Sequence, residues 1–158
     1  MEREELHPLA CVGADGETRE FYCLVTQEPF VGSDQLRLAW QYMVYDEVPV
    51  ANDDEPFEAE FVEIDATRVL SKMMTRRGLE QYRAKGTPEA VIADVARRTQ
   101  RRVVSSSTDH FLIDNTESRT EAATKVWLRL VGAGLATYDQ REDRFELDHA
   151  TLEVASGQ

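Results

Sequence analysis

The stretch "YRAKGTP", Tyr82 to Pro88, sets two cations, Arg83 and Lys85, beside Gly86 at the point where a helical pattern begins. These residue types in this order suit the binding of an anion. The first amides of a helix have no partner inside it, and the helix dipole adds partial positive charge there. Arg83 and Lys85 would supply full charges, and Gly86 would let the backbone come close to a ligand. Other chemistry is less well provided for. Cys11 and Cys23 form no CxxC and have no paired histidines nearby, so two buried free thiols are expected rather than a zinc site or a disulfide framework. His7, His110 and His149 are scattered and set no ligand spacing.

The charge distribution sharpens the reading of that turn. The chain of 158 residues carries a net −12, which argues against a large nucleic-acid footprint. Residues 1–65 hold 3 basic and 17 acidic side chains, and residues 109–158 hold 5 and 10, but residues 66–108 hold 10 and 3. One cationic segment therefore sits in an acidic protein. Either it faces the acidic segments within the fold, or it meets a small polyanion, and a phosphate-bearing cofactor suits a local cluster better than a nucleic-acid strand. No apolar run approaches the roughly 20 residues of a membrane helix. The start, "MEREELHP", has no apolar core of a secretory signal, and a cytoplasmic location is expected.

The elements that must position the turn can be read from hydrophobic periodicity. The length suits a single domain over 1–158, with 1–15 and 150–158 expected to be loose termini. "EFYCLVTQ" (Glu20 to Gln27) reads as a strand after the turn "GADGE". "QLRLAWQYMVYDEVPV" (Gln35 to Val50) alternates as a half-buried strand, and "ANDDEP" (Ala51 to Pro56) is a polar turn. "FEAEFVEI" (Phe57 to Ile64) alternates again, with Phe57, Ala59 and Phe61 opposite Glu58 and Glu60, so the two runs should pair antiparallel. Asp65 to Gly78 fits either a helix or a strand, with a strand favoured through Val69–Met74. Thr87 is the N-cap candidate of the next helix and Pro88 fits its first position. Val91, Ile92, Val95 and Ala96 make its apolar stripe. "RVVSSS" (Arg102 to Ser107) is a short strand, "DHFLIDNTES" a loop, and "TEAATKVWLRLVGAG" an amphipathic helix capped by Thr120. "LATYDQREDRFEL" (Leu135 to Leu147) gives two short strands about a charged turn. The class is α/β (α+β), a mixed, mostly antiparallel sheet flanked by helices.

"RAKGTP" (Arg83 to Pro88) resembles the acyl-CoA-binding loop of the GNAT superfamily of N-acetyltransferases, Arg/Gln-x-x-Gly-x-Gly/Ala. The following "VVSSS" and "EAATKVWLRLVGAGLATY" are similar to that family's next strand and helix, and the resemblance spans roughly Val69 to Leu147. It implies a GNAT-like fold and a cofactor, acetyl-CoA or another acyl-CoA, held by Arg83, Ala84, Lys85, Gly86, Thr87 and Trp127. It also implies a carboxylate on a central strand as general base, for which Glu58, Glu60 and Glu63 are the candidates by type and position. Pro88 stands where the family has Gly or Ala and removes one amide donor. Trp127 stands where the family often has a tyrosine that protonates the departing thiolate, and an indole N–H has no useful acidity. Tyr82 and Tyr138 are the nearby phenols, and Tyr138 is the catalytic candidate.

The resemblance implies acyl-CoA-dependent N-acylation of a cationic amine, either a small molecule or a basic protein, which the acidic N-terminal half would attract. The alternative is a non-catalytic acidic interaction or binding protein on a GNAT-like or winged-helix-like scaffold. A winged-helix DNA reader would need a basic recognition helix. Lys125 and Arg129 stand there against Glu117 and Glu121, so nucleic acid is not an expected partner. Exposed strand edges and Trp40 allow a dimer.

Overall fold

The computed structural model describes residues 6–30, 37–48, 55–108, 110–113 and 118–156. Eight strands form one sheet: β1 (Leu6–Val12), β2 (Thr18–Phe30), β3 (Arg37–Tyr45), β4 (Phe57–Glu63), β5 (Arg68–Thr75), β6 (Arg102–Ser105), β7 (Thr137–Asp139) and β8 (Arg144–Leu147). Their spatial order is β1-β2-β3-β4-β5-β6-β8-β7. Every neighbouring pair is antiparallel except β5 and β6, which run parallel. A parallel pair needs a crossover, and α1 (Thr87–Thr99) provides it. Two further helices follow, α2 (Glu121–Gly132) between β6 and β7, and α3 (His149–Ser156) after β8.

The strand alternation decides which face is covered. Cys11, Cys23, Tyr42, Ala59, Phe61, Val69 and Val103 lie on one face and are at most 1 % exposed. The α1 stripe of Val91, Ile92, Val95 and Ala96 joins them in one core with Trp127 and Leu130 of α2. Each buried Val, Ile, Leu or Phe among these contributes about 1.5–3 kcal/mol. Tyr42 ties sheet to helix, its hydroxyl donating to Asp94 Oδ2 at 2.6 Å, while Arg98 grips the same oxygen at 2.6 Å. Burial pushes the thiols up, Cys11 to about 12 and Cys23 to about 11, so neither is a ready nucleophile.

The ambiguous Asp65–Gly78 segment resolves as a strand, and the β3–β4 pair is antiparallel, with Trp40 opposite Phe61. Three details differ from expectation. Within the expected loose ends, the described residues form β1 and most of α3: β1 buries Leu9 and Cys11, its Pro8 is tolerated because β1 is an edge strand, and α3 buries Leu152. The cap of α1 is Gly86 rather than Thr87, which is the first helical residue and fully buried, so Pro88 falls one position later. The Arg102–Ser107 strand ends at Ser105, because Arg119 Nη1 takes the Ser106 carbonyl at 3.1 Å. Expectations for 1–5, 31–36, 49–54, 109, 114–117 and 157–158 lie outside the described residues. Among the described residues no helix is long and apolar enough to cross a membrane.

Candidate functional site

The parallel pair creates an opening in the sheet. β5 and β6 stay in register from Arg68–Arg102 to Ser71–Ser105, after which β6 ends and β5 runs on to Thr75. Residues 73–75 thus keep β4 on one side, and residues 72–75 have no β6 partner on the other. The opening coincides with a bulge. Glu60 pairs with Met73 and Phe61 with Ser71, so Lys72 is an extra residue in β5. A bulge bends a strand and increases its local twist. The Ser106 hydroxyl pins the fork, donating to the Ser71 carbonyl at 3.0 Å.

Two neighbouring cavities border this opening, and Met74 and Ala123 line both. The outer one, about 500 Å³, lies between the end of β5, the Arg83–Pro88 turn and α2. Arg76, Arg77, Arg83, Lys125 and Arg129 line it, and no described lining residue is acidic. The inner one, about 240 Å³, is bounded by Ser71–Met74 of β5, Ser106, Ser118–Thr120, Ala123 and Trp127.

The basic turn is held from below. Tyr82 is 2 % exposed, edge-on to Phe21 with ring centroids 6.0 Å apart, and its hydroxyl donates to the Glu55 carbonyl at 3.0 Å. Ala84, at φ 55°, offers its carbonyl to the Ala14 amide at 2.9 Å. This backbone leaves Arg83 in solvent at the cavity rim. Gly86 serves a different end from the expected one. A Cβ there would sit 2.0 Å from the Val12 carbonyl oxygen, so the missing side chain makes room for the protein's own β1 rather than for a ligand.

Of the residues expected to hold a cofactor, Arg83, Ala84 and Gly86 line the outer cavity and Trp127 the inner one. Trp127 is 1 % exposed and stacks on Phe145. Lys85 lines neither cavity, and Thr87 is buried beneath the turn. The three carboxylates separate. Glu58 and Glu60 share the sheet face away from the core, opposite Thr75 and Met73 in the register, and Glu60 accepts from the Gln41 amide. Glu63 lies on the other face, fixed by Arg101 at 2.6 Å and Trp40 Nε1 at 2.9 Å. Tyr138 stands on edge strand β7 and donates to Asp143 Oδ1 at 2.6 Å, a bond that raises its pKa. It lines neither cavity.

The residues that sequence reasoning missed are Arg76, Arg77, Lys125 and Arg129, with Lys72, Ser106 and Arg119 inside. The concentration of cations in 66–108 signalled Arg76, Arg77 and Lys72, but only the sheet topology brings α2 to the same cleft. Arg119 is the most firmly held of the set. Its guanidinium donates to Thr124 Oγ1 (2.9 Å), the Ser106 and Asp143 carbonyls (3.1 and 2.8 Å) and Asp143 Oδ1 (2.8 Å), and lies 5.1 Å from the Phe145 ring centroid. Partial burial opposes the Asp143 charge, but bonds from Thr108, Tyr138 and Arg119 outweigh it and hold the carboxyl well below the usual range.

No family model, curated protein or solved structure matches the chain.

Proposed function

We propose that the chain is an acyl-CoA-dependent N-acyltransferase acting on a cationic amine. The observation that carries this reading is the outer cavity, where five cations line an opening beside the end of β5 that runs past β6, in a protein of net charge −12. Phosphates at Arg76, Arg77 and Arg83 would anchor one end of the cofactor. An extended arm bearing amides could then run along residues 73–75, whose main chain has no β6 partner. The ion pairs at the rim would yield to it. Arg76–Glu80, Arg77–Glu58 and Arg83–Glu80 are 3.6–3.7 Å long and exposed, and such pairs contribute little.

In the reaction the amine nitrogen attacks the thioester carbonyl carbon, the C–N bond forms, the C–S bond breaks, and the amine proton passes to the departing thiolate. Glu60 is the best-placed candidate base, since its register partner Met73 lines the inner cavity. Glu58 beside it would help attract a cationic acceptor.

The test is a thermal melt with coenzyme A and with acetyl-CoA. Ligand at 100 times its dissociation constant stabilises by about 2.7 kcal/mol, a rise of roughly 5–10 °C for a chain of this size. Changing both Arg76→Glu and Arg77→Glu should remove that rise. No rise with millimolar ligand refutes the reading.

A second reading, a binding protein without catalysis on the same scaffold, is favoured by the state of the phenols. Trp127 has no acidic proton to give, the Tyr138 hydroxyl is engaged by Asp143, and that of Tyr82 by the Glu55 carbonyl. Thiol release from acetyl-CoA in the presence of polyamines separates the two: release supports the enzyme, and cofactor binding without release supports the binding protein.

A further inference from the structure

We infer that the sheet face away from the helices, where β1, β2 and β3 lie side by side, docks a basic polypeptide that carries apolar side chains. This goes beyond the acyl-CoA reading and stands without it. The three described helices all send residues to the core on one face of the sheet. Alternation should then leave the other face polar. β4 obeys, with Glu58 and Glu60 there. The three strands before it do not. Leu6, Leu24 and Met43 stand in one cross-strand row, and Pro8, Tyr22 and Tyr45 in the next. None of the six belongs to the core under the helices. Leu6 is 38 % exposed and Met43 36 %, Pro8 is exposed, and Leu24 and Tyr22 are half-buried. Further along the same face the apolar side chains are closed off. Ala39, Val62, Leu70 and Val104 follow one another across β3 to β6 and are at most 1 % exposed. The open part is the β1–β3 block, and an exposed apolar block of this kind marks a docking surface.

Charge selects the occupant. On this face of β1–β4 the described charged residues are Glu20, Glu28, Glu58 and Glu60 against Arg37, which donates to the Glu63 and Ile64 carbonyls. Glu58 stands next to Met43 at the end of the first row, and Glu20 flanks Tyr22 on its own strand. A second copy would bring the same acids and another net −12 against them, and nucleic acid or an anionic membrane would be repelled likewise. Strand addition along β1 is hindered as well, because Pro8 has no N–H to offer at that edge. The partner therefore lies on the face. Its apolar side chains cover Leu6, Leu24 and Met43, and its Lys or Arg residues reach Glu20 and Glu58 at the rim.

The probe is a fluorescein-labelled peptide with leucine and lysine at amphipathic helical spacing, titrated with the full chain and read by anisotropy. It should bind in the micromolar range, and the same peptide with glutamate in place of lysine should not bind. Leu6→Lys together with Met43→Lys should weaken binding by about tenfold or more. Both sites are exposed, and a melting curve checks the fold of the double variant. Glu121→Lys makes the same change in net charge on α2, where the side chain is 89 % exposed, and should weaken binding by less than about twofold. Equal weakening by the two would mean diffuse attraction to an acidic protein and would overturn the inference. So would binding of the glutamate peptide, or no anisotropy rise with about 0.5 mM protein. A wild type that sediments as a dimer, with the double variant a monomer, would assign the face to a second copy and overturn the basic partner. None of these outcomes bears on coenzyme A binding, so the acyl-CoA reading stands or falls separately.

Discussion

Gly86 and Gly16 hold almost the same left-handed backbone, at φ +77° and +79°, but their surroundings differ completely. A Cβ on Gly16 would meet nothing within 4 Å, whereas one on Gly86 would lie 2.0 Å from the Val12 carbonyl oxygen and 2.8 Å from its carbon. Alanine at either site incurs about 1–2 kcal/mol of left-handed strain. Each also recovers about 0.4–1 kcal/mol because the unfolded chain becomes less free. Gly16→Ala should therefore destabilise by about 0.5–1.5 kcal/mol. Gly86→Ala adds an overpacking cost of about 1–3 kcal/mol, because the obstructing atoms are backbone in a paired strand and cannot swing aside. Its total should reach about 2–4 kcal/mol, and at about 2–4 °C per kcal/mol the melting temperature should fall by roughly 4–16 °C. Urea unfolding of both variants measures the difference directly. Equal losses at the two sites would mean that the turn does not seat against β1, and the geometry assigned to the basic turn would fail with it.

Asp143→Asn should cost about 2–4 kcal/mol at neutral pH, since it breaks a largely buried ion pair with Arg119 and weakens the bonds from Thr108 and Tyr138. Because the folded state holds this carboxyl below its unfolded value near 4, its contribution is complete above that value and declines as pH falls below it. Stability curves of wild type and variant should therefore converge in acid; a gap independent of pH down to 2 would contradict the assignment. Tyr42→Phe removes the 2.6 Å bond to Asp94 and should cost about 1–2 kcal/mol in urea unfolding, with Arg98 still holding the carboxylate; no loss would count against the tie between sheet and α1.

Much of the fold was legible because its signals are local. The alternation of Phe57, Ala59 and Phe61, the stripe of Val91, Ile92, Val95 and Ala96, and Thr120 accepting from the Ala123 amide each depend on residues within a few positions of one another. The ends were illegible for the opposite reason. "LHPLACV" carries Pro8 and an exposed Ala10, a weak strand pattern in isolation, and it becomes β1 because β2 pairs with it along its whole length, Leu6 to Val12. α3 is eight residues, too short to be stable without the core that Leu152 enters. The cap of α1 was misplaced for a similar reason. Thr87 is the better capping residue by type, but at that point the chain must turn left-handed within reach of the Val12 carbonyl, and only Gly86 can do both.

The site was half legible, and what divides the halves is how each cation is paired. The expectation that the cationic segment faces acids within the fold is met by some of its residues and not by others. Arg98 and Arg101 hold Asp94 and Glu63 at 2.6 Å, and Arg68 and Arg102 hold Asp65 and Glu146 at 3.0–3.1 Å, so they answer acids within the fold. Arg76, Arg77 and Arg83 reach their acids only at 3.6–3.7 Å and stay exposed by 40 % or more of their side chains. Composition cannot separate the two groups, because the distinction lies in which strand ends first. β6 stops at Ser105 and β5 continues, so the cations beyond Ser71 border an opening while Arg68 and Arg102 border a closed ladder. A cation at the edge of an opening keeps its field directed into water, where a phosphate can still use it. The functional claim therefore rests on the four-residue difference in where two parallel strands end, and pairing β6 with residues 72–75 would abolish it.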